Sequence, residues 1–265
     1  MASAMNYAPY APPQQPQGPY GGGYAQYVYQ PLGWKTTASI VGVAGSVVLA
    51  FAQTGATLAF PDILKHPAPE NLPTIAALGL LGIATSLVAL ATYVIFLMWM
   101  HQAAKNVRAF GQQGLEFTPG WCVGWWFIPI MSLWKPFAAM REIWKASDPD
   151  TVGQRAAIDW RAAPVPTTMV LWWLVYIVNG FVATGIVLST LDLSGKHAAV
   201  TVGPAQFITH AFLGVAGVFL IMIMGQLAKR QEAAWQRLSS APANPAGGPS
   251  DQANPYAASG ANPYT

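Results

Sequence analysis

Four long apolar runs constrain this chain more than any other feature of its sequence. None of them contains Lys, Arg, Asp or Glu, and each is longer than 20 residues. At about 1.5 Å per residue, a helix of about 20 residues crosses the roughly 30 Å hydrocarbon core of a bilayer. Buried helices of soluble proteins seldom stay uncharged over such a length. The runs therefore predict four transmembrane helices, over about residues 36–60, 75–100, 168–191 and 205–227.

The overall composition agrees with a membrane protein. Hydrophobic residues make up 53% of the chain and charged residues only 9%, against about 25% charged residues in soluble globular domains. The 13 basic and 10 acidic residues give too small an excess to indicate nucleic-acid binding. The single cysteine, Cys122, excludes an intrachain disulfide and offers no metal cluster by itself. The composition predicts an all-α integral membrane protein whose first partner is the lipid bilayer.

The distribution of basic residues predicts how the chain is threaded. Eleven of the thirteen lie before the first run, between the second and third runs, or after the fourth. Only Lys65 and Lys196 lie in the two remaining loops. By the positive-inside rule, both termini and the central region are cytoplasmic, in the cell (inner) membrane. All eleven tryptophans also lie in or beside these cytoplasmic regions.

A Trp- and Pro-rich segment follows the second predicted helix. Residues 121–144 contain five tryptophans, and Pro129 and Pro136 prevent one straight helix from running through them. Trp is favoured where one end of a side chain is apolar and the other is wet. The uncharged stretch before Lys135 is too short to span, which favours an interfacial or re-entrant segment over residues 121–147. A tilted, kinked fifth span is the alternative.

The flanks of this segment carry helix signals. The second helix is predicted to continue into the cytoplasm and to end near Gly111, where a glycine can adopt the left-handed conformation. Another helix should begin at Pro136, a residue favoured in the first helical turn. Phe137, Met140 and Trp144 form its apolar stripe. The pattern predicts an amphipathic helix that lies on the membrane surface or, equally, packs against the cytoplasmic ends of the spans.

Both ends of the chain have the composition of disordered, low-complexity tails. Residues 1–33 contain no charged residue, but six tyrosines and six prolines. Residues 239–265 repeat Ala-Asn-Pro three times. Such segments do not bury enough apolar surface to fold alone. The predicted organisation is therefore a disordered tail, a membrane domain over residues 34–238, and a second disordered tail, with no cleaved signal peptide.

Small residues recur every fourth position in the first predicted helix. Ala38, Gly42, Ser46 and Ala50 would let two helix backbones approach closely. We expect packing within the chain, with dimerisation as the alternative.

Signatures of catalysis are lacking. All ten acidic residues lie outside the four runs, whereas intramembrane enzymes and ion-coupled transporters commonly place ionisable groups within the bilayer. The chain has no zinc-binding HExxH motif, no Gly-x-Ser-x-Gly turn and no phosphate-binding loop. Asn179 and His210, the unusual polar residues of the third and fourth helices, are expected to form interhelical hydrogen bonds. We therefore predict no catalytic, cofactor-binding or metal site.

The central motif resembles the signature of a bacterial membrane-protein family, domain of unknown function 4328. The resemblance covers about residues 34–238 and includes Asn106 after the second helix, Ser147, and Arg230-Gln231 after the fourth. It implies the same threading and no activity. The residues that carry the resemblance in the centre of the chain are also the candidate interaction motif: Trp125, Trp126, Pro129, Trp134, Pro136, Arg141, Glu142 and Trp144.

The sequence thus predicts a non-enzymatic interaction or scaffold protein. Its Trp-rich cytoplasmic face would recognise a cytoplasmic protein or an anionic lipid, with basic residues such as Arg141 and Lys145 supplying charge and the aromatic residues supplying contact area. An oligomeric channel or transporter is the first alternative, because four spans alone rarely enclose an aqueous path. A membrane enzyme with an unrecognised site is the second.

Overall fold

The described part of the chain is built from helices. The computed structural model describes residues 27–60, 63, 68–152, 159–190 and 202–240, and no strand occurs among them. The α-helices whose bounds lie within these described residues are α1 (Gly33–Ala59), α2 (Leu72–Ala109), α3 (Pro119–Gly124), α4 (Lys135–Ala146), α5 (Thr167–Thr190) and α6 (Val202–Ser240). Four of them, α1, α2, α5 and α6, are long and apolar enough to cross a membrane. The predicted fold, an all-α protein with four membrane helices, is confirmed.

Helix α1 packs against both α2 and α6, and α5 packs on α6. The small-residue stripe makes the first of these contacts possible. A Cβ atom added to Gly42 would lie 2.5 Å from Thr92 Oγ1 on α2, and Ser46 Oγ lies 3.4 Å from the same oxygen. Ala50, further along the stripe, is buried. The stripe thus packs within the chain, as expected, because only small side chains leave room for α2.

Two of the long helices continue beyond their apolar stretches. Helix α2 ends as predicted, just before Gly111, which has a φ of 78°. Helix α6 runs on to Ser240, past the expected end of its span and into the predicted tail. The sequence after Leu227 contains neither Gly nor Pro up to this point and is rich in good helix formers. The extension is also held by packing, since Gln231 and Ala234 are fully buried.

These extensions meet the central segment at one end of the bundle, which we call the capped end. It contains the first residues of α1 and α5, the last residues of α2 and α6, and the described residues between α2 and α5, 110–152 and 159–166. Most of the fully buried large apolar side chains lie here: Trp99, Met100, Met140, Met169, Met224 and Leu227. Elsewhere the long helices expose residues such as Leu87 and Phe181, as expected of helices whose solvent is lipid.

The Trp- and Pro-rich segment does not form a fifth span. It consists of α3 followed by 3₁₀-helical turns at Trp125–Phe127 and Met131–Leu133. Even α3, with six residues, reaches only about 9 Å at about 1.5 Å per residue. The interruption at Pro129 and the new helix at Lys135 follow from the two prolines, of which Pro136 occupies the first turn of α4.

The last part of the predicted N-terminal tail is packed against the rest of the protein. Residues 27–32, the N-terminal strap, pack on the capped end, and Tyr29 and Leu32 are buried. Composition alone missed this because the strap finds its partners on helices distant in sequence, α2 and α6. The rest of both predicted tails, residues 1–26 and 241–265, lies outside the described residues.

Candidate interaction surface at the capped end

Helix α4 packs with its apolar face against the rest of the capped end. Ala139, Met140 and Ile143 are buried, whereas Arg141 on the opposite face is exposed. The helix packs against the ends of the long helices, which is the second of its two predicted arrangements. Its Trp144 is buried and donates its indole N–H to the carbonyl oxygen of Pro164, at 3.1 Å. The apolar stripe of α4 therefore fixes the direction in which Arg141 points outward.

Trp126 anchors the central segment between α2 and α5. Its ring makes edge contacts with Tyr93 and Phe96 on α2, at centroid distances of 6.1 and 5.5 Å. It also contacts Trp173 and Tyr176 on α5, each at 6.0 Å. Aromatic pairs in such edge-to-face geometry stabilise by about 0.5–1.5 kcal/mol each beyond their buried area. Trp126 is therefore a packing residue that ties the segment to two membrane helices.

Other members of the candidate motif face outward. Trp134 and Pro129 are exposed, together with Trp121, Phe127, Ile130 and Leu133 of the same segment. Trp125 is half-buried, and its ring stacks on Trp121 at a centroid distance of 4.6 Å. The side chains of the motif thus divide between an inward set, including Trp126, Pro136 and Trp144, and an exposed apolar and aromatic edge.

Glu142 clamps the loop between α2 and α3 onto α4. Its carboxylate accepts the backbone N–H groups of Glu116 at 2.6 Å and Phe117 at 3.1 Å. Arg108 donates to the carbonyl oxygen of the same Phe117 and, at 3.0 Å, to that of Ala104. Burial raises the pKa of Glu142, although the two backbone N–H groups and the Arg108 charge act in the opposite direction. Glu142 and Arg108 together order the loop beside the Trp-rich segment.

A buried polar hub joins four elements at the capped end. Asn106 on α2 donates to Gln231 Oε1 on α6 at 2.8 Å. The Gln231 amide nitrogen donates to Ser147 Oγ, just after α4, and to the carbonyl oxygen of Ala103, both at 3.0 Å. Asn106 also binds the backbone of Gln30 in the strap. All three side chains of the hub, Asn106, Ser147 and Gln231, are fully buried and hydrogen-bonded, as stability requires of buried polar groups.

The sequence did not reveal the hub as a cluster. Asn106, Ser147 and Gln231 lie far apart in the chain, and a polar residue just beyond a membrane helix is ordinarily solvated. The resemblance to a family signature was the one signal that included all three. The structure brings them together because α2 and α6 both extend beyond their apolar stretches.

Ion pairs surround the hub. Arg230 Nη2 lies 2.8 Å from Asp148 Oδ2, and both side chains are largely buried. This contact is an ion pair by distance, without the angle of a hydrogen bond. The same guanidinium lies over the Trp144 ring at 5.2 Å from its centroid. Arg237 pairs with Asp150 about two turns further along α6. These contacts fix α6 to the chain that follows α4.

Cys122, the only thiol, lies on α3 and is fully buried. Burial raises its pKa to about 12, so the thiol is protonated at neutral pH. Within the described ranges, no three His, Cys, Asp or Glu side chains come close enough to hold a metal ion. Cys122 is therefore a packing residue.

The two polar residues inside the long helices differ in their partners. His210 Nδ1 on α6 lies 2.7 Å from Thr54 Oγ1 on α1, so the expected interhelical hydrogen bond is confirmed for His210. The side-chain oxygen Oδ1 of Asn179 is buried without a hydrogen-bond partner in the described part of the chain. The expectation is therefore not met for that oxygen.

Four apolar helices and a polar, hydrogen-bonded cap define a multi-pass membrane protein. A family model, domain of unknown function (DUF4328), matches residues 74–232. The match covers more than half of the chain, and the protein belongs to this family. It includes nearly all of α2, the Trp-rich segment and all three side chains of the polar hub. Neither the curated proteins nor the solved structures contain a significant match.

Proposed function

We propose that this is a non-enzymatic interaction protein of the bacterial cell membrane whose capped end recognises a cytoplasmic protein. The observation that carries the proposal is the division of the candidate motif on a rigid framework. Trp144 and Pro136 are buried, while Trp134 and Arg141 face outward. An exposed surface held by packed neighbours binds at a lower cost in conformational entropy than a mobile one.

The proposed orientation places both termini and the capped end in the cytoplasm. Ten of the eleven basic residues that the sequence groups on one side belong to the capped end or to the segments that flank it, and the eleventh, Arg155, lies outside the described residues. The positive-inside rule supports this orientation. Exposed Trp and Arg side chains are also the residue types most enriched among the dominant contacts of protein interfaces.

Several potentially reactive groups at this end have packing or structural partners, which supports a non-enzymatic role. Cys122 is buried with a raised pKa, and Glu142 is bound to two backbone N–H groups. The Asn106 and Gln231 carboxamides are hydrogen-bonded to one another and to neighbouring groups of the cap. A catalytic group needs access to its substrate and a suitable pKa, and these side chains are committed to holding the cap together.

The test is affinity capture with the tagged full-length protein solubilised from its own membrane. The double variant Trp134→Ala/Arg141→Glu removes exposed contacts only, so the protein should still fold but lose a specific soluble partner. Lys229→Glu, a charge reversal at an exposed position on α6, is the matched control and should retain that partner. Equal recovery with all three proteins would contradict the proposal. Recovery of only anionic lipid would replace the protein partner by a headgroup, and a reproducible multimer in native mass spectrometry would favour a channel.

A further inference from the structure

The N-terminal strap is held as a bound peptide is held. The backbone N–H of Gln30 donates to Asn106 Oδ1 at 3.1 Å, and its carbonyl oxygen accepts from Asn106 Nδ2 at 2.8 Å. A carboxamide carries the same donor and acceptor pair as a peptide group. Asn106 therefore binds the strap backbone as a neighbouring β-strand would, from a fully buried position.

Two side chains of the strap are anchored on either side of this backbone contact. The Tyr29 ring stacks on Trp235 at a centroid distance of 4.8 Å and lies 5.6 Å from Phe110. Its hydroxyl donates to Glu232 Oε2 at 2.8 Å. Burial raises the pKa of Tyr29, so this hydroxyl stays protonated and remains a donor. Leu32 is the second buried anchor.

Most of the remaining strap residues are exposed, whereas Tyr27 is half-buried and its ring lies 5.9 Å from the Arg108 guanidinium. Val28, Gln30 and Pro31 are exposed, between and beside the buried Tyr29 and Leu32. The strap lies along a shallow surface depression of about 380 Å³ that is also lined by Lys229, Glu232 and Gln236 of α6. Backbone capture combined with pockets for a few side chains is the usual chemistry of extended-peptide recognition.

We infer that the surface under the strap is a peptide-binding site that the chain fills with its own residues 27–32. The partner it fits is an extended protein segment with a tyrosine followed three positions later by leucine, supplied by another molecule in place of the strap. The site is formed by Asn106, Phe110, Glu232 and Trp235, none of which belongs to the Trp-rich motif of the proposed function. The inference therefore goes beyond that function and does not depend on it.

The test uses the full chain in detergent and a fluorescein-labelled synthetic peptide with the sequence of residues 27–33. A site that is filled from within binds an added ligand weakly, because the apparent affinity falls with the fraction of open sites. Tyr29→Ala/Leu32→Ala in the protein removes the resident anchors. This opened variant should bind the peptide at least about ten-fold more tightly than the wild-type chain does.

Two controls separate specific binding from adhesion to an apolar surface. A peptide with alanine at the Tyr29 position should bind the opened variant at least about ten-fold more weakly, because it lacks the aromatic anchor. Adding Glu232→Ala and Trp235→Ala to the opened variant should abolish peptide binding. Size-exclusion elution and the thermal transition report whether each variant is folded. The inference would be overturned if the opened variant is folded but does not bind the peptide, or if it binds both peptides equally.

A second measurement covers the case in which the opened variant does not fold. A peptide with a photoreactive benzophenone at the Tyr29 position, added in excess to the wild-type chain, should cross-link to residues 231–236 of α6. Cross-links confined to other parts of the protein would overturn the inference. Trp134→Ala/Arg141→Glu should leave the cross-linking unchanged, so failure of the peptide site and failure of the proposed partner surface can be told apart.

Discussion

The side-chain amide of Asn106 donates to Gln231 Oε1 at 2.8 Å, and this contact joins the part of α2 beyond its apolar stretch to the corresponding part of α6. The two residues are 125 positions apart in the chain. Each carboxamide makes further hydrogen bonds, to the strap and Gln102 on one side and to Ser147 on the other. Since both side chains are fully buried, the stability of the capped end depends on their mutual satisfaction.

Replacing Asn106 by Leu should destabilise the protein strongly. The change leaves Gln231 Oε1 and the backbone N–H and carbonyl groups of Gln30 without their Asn106 partners, and each buried unsatisfied polar group costs about 1–3 kcal/mol. We expect a clear fall in the thermal unfolding temperature in detergent. Asn106→Leu/Gln231→Leu should be less destabilised than the sum of the single variants, because the two residues share one network. Additive losses of stability in the double variant would contradict a hydrogen-bond network shared by Asn106 and Gln231.

Glu142→Gln should release the loop between α2 and α3. A neutral amide keeps the shape, but the Glu116 and Phe117 N–H groups bind different carboxylate oxygens, so in this geometry the amide –NH2 would face one of the two donors. We expect faster proteolysis at residues 111–118 and a loss of about 1–3 kcal/mol of stability. The matched control is Glu116→Gln, which removes only the exposed pair with Lys135 and should cost at most about 1 kcal/mol. Equal proteolysis of the two variants would count against the clamp.

Cys122 should resist thiol reagents in the folded protein. The side chain is fully buried, and its pKa of about 12 leaves almost no thiolate at pH 7.5. Maleimide labelling of the native protein in detergent should be slow, and denaturation should make it rapid and stoichiometric. Rapid labelling before denaturation would show that α3 opens readily.

The length of an N-terminal deletion should decide whether the protein stays stable. Removing residues 1–26 leaves the strap in place and should preserve the thermal transition. Removing residues 1–30 deletes Tyr29 and Gln30, with the hydrogen bonds to Glu232 and Asn106, and should lower it. Composition alone predicts that both deletions are harmless. Identical transitions for the two truncated proteins would favour that simpler view.

Reporter fusions should establish the orientation. A reporter active only in the periplasm should be silent when fused after Arg161 or Arg237 and active when fused after Lys196. The reason is the eleven-to-two division of basic residues, which follows the positive-inside rule. Activity after Arg161 would reverse the proposed location of the capped end.

The sequence by itself determined the parts of the fold that depend on local chemistry. Uncharged apolar runs marked the four long helices, since the bilayer requires such runs whatever the neighbouring helices are. Pro129 and Pro136 marked an interruption and a helix start, and Gly111 marked the end of α2, because these residues act on their own backbone. The small-residue stripe predicted a close contact, although not that Thr92 would be its partner.

Tertiary structure decided which polar side chains are buried. Asn106 and Gln231 look like solvated residues beyond the ends of two spans, and Tyr29 looks like part of a low-complexity tail. Each becomes buried only when α2, α6 and the strap meet, because its hydrogen-bond partners lie on elements distant in sequence. Composition and periodicity report the preference of a segment for helix, water or lipid. They do not report which distant donor faces which acceptor, and that pairing shapes both the cap and the proposed peptide site.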